Sequence, residues 1–292
     1  MKYKASIIIP VHDSGPELIK AVESCVNQTE KNIEIIIVDN GSITKYAKEV
    51  ANKFCDPRIK YIYSAYANRS AARNIGINIA DGQYLQFLDA DDELDLNKIK
   101  MGIDFLLQNK NYHSYITSTR FFNQDGVVVK EFLKFDNNIA VHNTLVISAP
   151  LLKNENIIHF REDLVRCEDW LFWIENLLGK NNYFNQNYFG SFINVTGSNS
   201  MSQADEMIWY GFVVRQIIQS DFKKYTLNLN YLKYTIIDII EILIYGTNER
   251  KTIINKKMSF YCFFARFILK TPIFSHILKE EIKKVRNMNV YI

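Results

Sequence analysis

The chain has 292 residues, 48% hydrophobic and 13% aromatic, enough to bury a real core in one large or two fused domains. A formal charge of +3 names no partner by itself, and the absence of any groove-reading motif excludes a nucleic-acid binder. The charge is unevenly spread: from Glu249 onward ten Lys/Arg face three Asp/Glu, a segment of +7 that leaves −4 on the body before it.

In chain order, Ala5 to Val11 is a continuous apolar run, the pattern of a strand buried on both faces. Pro10 donates nothing to a ladder, so the strand is expected to end near it. After the turn His12-Asp13-Ser14-Gly15, a helix over Pro16 to Gln28 carries Leu18, Ile19, Val22 and Val26 on one stripe. Ile33 to Val38 is a second buried strand and ends in Asp39-Asn40-Gly41-Ser42. A helix over Thr44 to Phe54, a strand over Ile59 to Tyr63, a helix over Ser70 to Ala80 and a strand over Tyr84 to Leu88 follow. Strand and helix alternate without interruption, which predicts right-handed crossovers and a parallel sheet.

Beyond this point the pattern loosens. Leu96 to Leu107 reads as an amphipathic helix. Tyr112 to Phe122 and Val127 to Phe135 read as a hairpin turned by Asn123-Gln124-Asp125-Gly126. Pro150 to Lys153 is expected to open a short helix, Glu168 to Leu178 to form another, and Tyr183 to Val195 to return as strand. Helices are predicted over Met207 to Gln219, Leu229 to Tyr245 and Lys256 to Leu269. Cys25, Cys55, Cys167 and Cys262 are far apart, which predicts free, buried thiols and a reducing cytosol. The opening Met1-Lys2-Tyr3-Lys4-Ala5 reads as a strand entry rather than a signal peptide, and no stretch reads as a spanning helix.

The chemistry concentrates where strands end. Gln83 to Asp92 runs an apolar strand into Asp89, Asp91 and Asp92, and strands tolerate Asp poorly. Open α/β sheets bind ligands at the carboxyl ends of their strands. Hard oxygen donors at this spacing suit Mg²⁺ or Mn²⁺ shared with substrate phosphates, while an acidic turn capping the next helix is the plainer alternative. Asp39 ends a second strand of the same sheet, and two such carboxylates suit a nucleotide. There is no P-loop and no Gly-x-Gly-x-x-Gly after the first strand.

Taken in order, Ile7-Ile8-Ile9-Pro10-Val11-His12-Asp13, Ile37-Val38-Asp39-Asn40-Gly41-Ser42, Ser70-Ala71-Ala72-Arg73-Asn74-Ile75-Gly76, Phe87-Leu88-Asp89-Ala90-Asp91-Asp92 and Glu168-Asp169 resemble the successive motifs of glycosyltransferase family 2. The resemblance covers residues 5 to about 200. It implies a GT-A fold, a Rossmann-like, mostly parallel central sheet with flanking helices; the C-terminal helical region that follows is read from the chain's own pattern, and the resemblance is silent on it. The expected layout is a catalytic domain over 1–203, with its nucleotide-binding part over about 1–95 and its acceptor side over about 96–203, and a basic, aromatic helical region over 204–292.

The family implies an inverting, metal-dependent transfer of a hexosyl or N-acetylhexosaminyl group from a nucleotide-diphosphate sugar, UDP-linked, to a glycan hydroxyl. By matching position Pro10, His12, Asp39, Arg73 and Asp89 would hold the nucleotide. Asp91 with Asp89 would hold Mn²⁺ or Mg²⁺, and Asp169 would be the base. Glu168 and Trp170 would lie on the acceptor side, although Trp170 and Trp173 also read as core. His12 stands where the family has Tyr, Asp13 where it has Asn, and Asn68 where it has Gly, a position expected to need a left-handed backbone. Thr144 stands where a Lys is expected, and Asn194 to Ser202 offers no His. Asp92 is expected to cap a helix.

A surface glycan of capsule, lipopolysaccharide or teichoic type, built on a lipid-linked acceptor in the cytoplasm, is the family-level expectation. The tail would join Phe260, Phe263, Phe264, Phe267 and Ile268 to Lys279, Lys283, Lys284 and Arg286. It would either lie on the inner face of an anionic membrane or pack on the protein. The rival functions are a nucleotidyltransferase on a similar sheet and a non-catalytic sugar-nucleotide-binding module.

Overall fold

The computed structural model describes residues 3–132, 137–195, 204–222, 229–258 and 261–262. The chain forms two compact units. The first comprises Met1–Phe135, Leu145–Asp163 and Glu175–Thr196, and the second comprises Asp136–Thr144, Leu164–Ile174 and Gly197–Ile292.

The first unit is built on one sheet. Strands β1 (Tyr3–Val11), β2 (Ile33–Asn40), β3 (Ile59–Ser64) and β4 (Gly82–Phe87) are all parallel, in the order β3-β2-β1-β4. Their connections are α1 (Glu17–Val26), α2 (Tyr46–Lys53) and α3 (Arg69–Ile79). The apolar runs work on both faces, as continuous hydrophobic strands must. Ile7, Ile9, Ile35 and Ile37 join Leu18, Val22, Ala47 and Val50 in one core. Ile8 turns to the other face, against α3, where a Cβ at Gly76 would fall 2.4 Å from its Cγ2. Each fully buried Ile contributes roughly 1.5–3 kcal/mol.

Pro10 lies inside β1 rather than ending it. Ile8 turns its carbonyl to the β4 side, where it accepts from Leu88 N. Pro10, two residues on, faces the same side past the last β1–β4 pair, Ile8 with Phe87. The bond it cannot donate is one the ladder no longer asks for.

The second half of the sheet is mixed. After the two-residue β5 (Glu93–Leu94) and helix α4 (Lys98–Gln108), β6 (Ser114–Phe122) and β7 (Val128–Phe132) form the expected hairpin. Pro150–Lys153 is a strand, β8, and not the start of a helix. It pairs antiparallel with β4 on one side and β6 on the other. Long β9 (Asn182–Asn194) runs parallel to β6 and antiparallel to β5. Lys98, fully buried at the head of α4, donates to Thr117 Oγ1 (2.8 Å), Ala149 O (2.8 Å) and Ser191 Oγ (3.1 Å). It thereby fastens the helix to β6, β9 and the chain before β8.

The second unit contains a 3-10 turn (Asn137–Ala140) and the first turns of α5 (Glu168–Leu177). Helices α6 (Ala204–Asp221), α7 (Leu229–Tyr245) and α8 (Asn248–Lys257) follow. Ile208, Phe212, Ile239, Ile240, Ile242, Ile254 and Cys262 form its core. Helix α8 begins at Asn248, capped by Thr247, and ends at Lys257; of the helix expected over Lys256 to Leu269, Tyr261 and Cys262 are helical and residues 263–269 lie outside the described residues. Cys25, Cys167 and Cys262 are buried as expected, and Cys55 is exposed. No helix among the described residues is long and apolar enough to cross a membrane. Residues 133–136, most of the segment Asn194 to Ser202, and the tail residues Phe260, Phe263, Phe264, Phe267, Ile268, Lys279, Lys283, Lys284 and Arg286 lie outside the described residues.

Candidate active site

Strand β4 delivers the acidic cluster. Leu88 still bonds back to Ile8, and the chain then leaves the sheet. Arg73 of α3 is buried, and its Nη2 lies 2.8 Å from Asp89 Oδ1. The guanidinium sits 5.2 Å from the ring centroid of Phe160, which packs edge-on against Phe87 at 5.3 Å. Arg73 therefore reaches the site through Asp89, whose carboxylate it holds.

Burial, and after it the charge of Asp89, pushes the Asp91 carboxyl up to about 6. Asp92 is buried, and burial followed by the charges of Asp91 and Asp89 raises it well above the usual carboxylate range. Asn194, at the end of β9, donates its backbone N–H to Asp92 Oδ1 (3.1 Å) and its side-chain amide to Asp91 O (2.6 Å). Asp92 is thus not a helix cap: α4 starts only at Lys98, after Asn97.

The end of β2 is different. Asp39 is 1% exposed, and each of its oxygens accepts one hydrogen bond, Oδ1 from Ser42 N at 3.1 Å and Oδ2 from the Tyr61 hydroxyl at 2.7 Å. Burial, with the Asp39 hydrogen bond behind it, pushes the Tyr61 hydroxyl far up. Asp13 takes a left-handed backbone (φ 46°) and stitches the first two loops together. Its N–H donates to Ser42 Oγ (2.9 Å), and its Oδ1 accepts from Ile43 N (2.8 Å). His12 is half exposed, with Nδ1 3.0 Å from Asn40 O. A carbonyl only accepts, so Nδ1 carries a proton. Asn40 Oδ1 is buried without a hydrogen-bond partner among the described residues.

Asn68 needs no left-handed backbone. It is extended (φ −149°) and caps α3, its Oδ1 accepting from Ala71 N at 3.0 Å. That is the ordinary work of Asn at a helix start. Pro10, His12 and Asp39 thus gather at the ends of β1 and β2, and Asp89 and Asp91 at the end of β4. β1 lies between the other two strands.

Glu168, Asp169 and Trp170 belong to the second unit. Cys167 precedes them in a left-handed conformation (φ 58°), and α5 opens on the two acids. Both acids are largely buried, at 4% and 8% exposed. Asp169 Oδ1 accepts from Trp170 N (2.8 Å), and Asn143 Nδ2 lies 3.3 Å from Oδ2. Burial, then the charges of Asp169 and Glu168, drives the Cys167 thiol well up. Trp170 and Trp173 are core side chains at 2% and 0% exposed, and Trp170 Nε1 donates to Ile139 O at 2.6 Å. Thr144 is buried, and its hydroxyl has no hydrogen-bond partner among the described residues.

Tyr61, Asn194 and Asn143 were not singled out from the sequence as partners of Asp39, Asp91/Asp92 and Asp169. Each comes from a distant segment through strand register or loop packing, for which the sequence carries no local signal.

A mixed sheet with this strand order, flanked by helices and acidic at two parallel strand ends, defines a GT-A type nucleotide-sugar fold. The profile of Glycosyl transferase family 2 matches residues 6–169, and the chain belongs to that family. An uncharacterized glycosyltransferase of Rickettsia felis (strain ATCC VR-1525 / URRWXCal2) is 28% identical, over 93% of this chain and 48% of its own length. The chain thus spans about half the length of that curated relative. The Escherichia coli UDP-Glc:alpha-D-GlcNAc-diphosphoundecaprenol beta-1,3-glucosyltransferase WfaP is 31% identical, over 73% of this chain and 86% of its own. The crystal structure of S. aureus TarS 1-349 in complex with UDP-GlcNAc superposes with a TM-score of 0.61 at 15% identity, covering 90% of this chain and 87% of that one. At that identity it is the fold that is shared.

Proposed function

We propose that this chain transfers a sugar from a UDP-linked nucleotide sugar to a hydroxyl of a glycan acceptor, with inversion at the anomeric carbon. The observation that carries the reading is the contrast between the two acidic strand ends flanking β1. Asp39 is satisfied by its own chain, while Asp89, Asp91 and Asp92 crowd one another. The first suits shape and hydrogen-bond recognition of a ribose or base, beside Pro10 and His12. The second suits a cation.

Asp91 and Asp89 fit Mn²⁺ or Mg²⁺, because a divalent cation would offset both the burial and the neighbouring Asp89 charge that raise Asp91. Among the described residues no three His, Cys, Asp or Glu side chains could hold a metal by themselves. The donor's phosphate oxygens would complete the shell, as is usual for Mg²⁺. Bound there, a cation offsets charge on the departing diphosphate.

The protein's own groups do the rest. Arg73 fixes Asp89 in place. Asp169 accepts the proton of the acceptor hydroxyl as that oxygen bonds to the anomeric carbon. The bond to the diphosphate breaks on the opposite face, its electron pair leaving with the nucleotide. One displacement inverts the centre. Glu168 and Trp170 serve the acceptor side, Trp170 from within the core.

The proposed division remains a catalytic domain over 1–203 and a helical region over 204–292. The acceptor in WfaP's name, a diphosphoundecaprenol-linked GlcNAc, supports a lipid-linked acceptor here and a role in bacterial surface polysaccharide synthesis. It also supports peripheral contact with the inner membrane face through the basic tail. Anionic vesicles test that contact: sedimentation with phosphatidylglycerol should fall with salt and vanish when Lys279, Lys283, Lys284 and Arg286 become Gln.

The central test is a panel of sugar nucleotides with Mn²⁺, read by thermal shift and by hydrolysis. One UDP-sugar should stabilise the protein in Mn²⁺ but not in EDTA, and should be cleaved slowly to UDP. Release of pyrophosphate from a nucleoside triphosphate and a sugar phosphate would mark a nucleotidyltransferase instead. Binding without any turnover would mark a non-catalytic module.

A further inference from the structure

We propose that Arg215 is a positioning residue for Asp169, so that the helices after residue 203 are part of the transfer machinery. The inference rests on the reading of Asp169 as the base. It is drawn wholly within the second unit.

Arg215 projects from α6 and is 3% exposed. Its Nε and Nη2 bind the two oxygens of Asp238 on α7, at 2.5 and 3.3 Å. Asp238 is buried as well. The guanidinium lies 5.0 Å from the ring of Trp170 and 5.7 Å from the ring of Tyr234. Each ring leads to Asp169 by a different route. Trp170 is its covalent neighbour and gives it a backbone N–H. Tyr234 packs on His142 with centroids 5.7 Å apart, and the next residue, Asn143, presents its amide to Asp169 Oδ2. Arg215 thus sits between two segments that touch the carboxylate and braces both. Arg166, just before α5, meets Glu206 of α6 at 3.2 Å, tying the helix start to the same support.

A mere filler at this place need not be charged. Replacing a buried ion pair by apolar residues of similar size is often neutral or stabilising. A planar guanidinium does what a filler cannot: it binds a carboxylate with two N–H groups and lies against aromatic faces. Misplacing a catalytic group by about 1 Å can cost roughly 100-fold in rate. That argument separates positioning from stability and suggests the test.

Two variants of the full chain are compared with the parent: Arg215→Lys, and the double change Arg215→Met with Asp238→Leu. Turnover is read as UDP release from the UDP-sugar that the panel selects, in the presence of acceptor. Donor-side binding is read by thermal shift with UDP and Mn²⁺. In both variants kcat is expected to fall about 10- to 100-fold, while the donor KM and the UDP shift stay within about twofold. On an Asp169→Asn background the same changes should cost almost nothing more, because groups acting as a unit are not additive.

A folded double variant with parental kcat overturns the inference. So does a collapse of the folded state in both variants, which would make Arg215 a scaffold residue only. If Asp169→Asn alone leaves turnover within a few-fold, the assignment of the base has failed. If Asp169→Asn abolishes turnover while both Arg215 variants keep it, the positioning role has failed and the base stands.

Discussion

Two strand ends of one sheet carry carboxylates, and the protein treats them in opposite ways. At the end of β2, Asp39 is buried and given a backbone N–H and a tyrosine hydroxyl. At the end of β4, three carboxylates stand within four residues, and their burial and mutual repulsion lift Asp91 and Asp92 above the normal range. A satisfied buried charge supports the fold. A crowded set costs stability and is kept for what it binds. The two ends therefore should respond oppositely to the loss of one negative charge.

The largest effect is expected at the crowded end. Asp91→Asn should lower sugar transfer at least about 100-fold, and excess EDTA should do the same to the parent. Stability should move the other way. With its folded carboxyl lifted to about 6 from an ordinary 3.8, Asp91 is charged at pH 7 against the preference of its surroundings. Removing that charge should raise the melting temperature. Calorimetry and a UDP-release assay on the same preparations decide. A variant both less active and less stable would show that Asp91 is structural.

Asp39→Asn should lower stability, because an amide oxygen replaces only part of the carboxylate's acceptor capacity in a fully buried place. A loss of about 1–3 kcal/mol is expected, together with about a tenfold rise in donor KM. Urea unfolding and donor titration read the two separately. If donor affinity is untouched while stability falls, the β2 end serves the fold alone.

The parallel half of the sheet was legible in the sequence, and the mixed half only in pieces. β1 and β2 are continuous apolar runs, single helices join β1 to β4, and the β1–β2 and β2–β3 neighbours are consecutive in sequence, with only β4 crossing back to pair with β1. Pro150 to Lys153 is too short for its period to be read. It is a strand because β4 and β6 accept it from either side, a long-range fact. α8 is largely polar and shows no apolar stripe, so periodicity does not reveal it. For the site, the motifs exposed the carboxylates and hid their partners. Asn68 misled for a physical reason: Asn suits a left-handed turn and a helix cap alike, and the start of α3 decided for the cap.

A third buried charge sharpens the contrast by a pH readout. Burial lowers Lys98 to about 7 from 10.5, while Asp95 raises it somewhat. Between those values the unfolded chain binds a proton that the folded chain sheds. Stability should therefore rise with pH from about 7 toward 10.5, by at most about 1.4 kcal/mol per pH unit from this group. Lys98→Met should flatten that rise relative to the parent. An unchanged slope would mean that the three oxygens around Nζ hold the ammonium charged through the whole window.

The smallest effect is expected from Tyr61→Phe, and it bears most directly on why Asp39 is quiet. The hydroxyl donates to Asp39 Oδ2 at 2.7 Å, and Ser42 N serves Oδ1. Losing a hydrogen bond to a charged acceptor costs about 1.5–3 kcal/mol. Tyr61 is partly buried, so water can replace some of what is lost and the cost should fall toward about 1 kcal/mol. Asp39 keeps its charge and its backbone donor, so donor KM should rise only a few-fold, less than in Asp39→Asn. Should Tyr61→Phe match Asp39→Asn in donor KM, the ribose or base would be read through the orientation that the hydroxyl imposes on the carboxylate. Should it leave donor KM unchanged, the Ser42 N–H alone would be enough to orient Asp39.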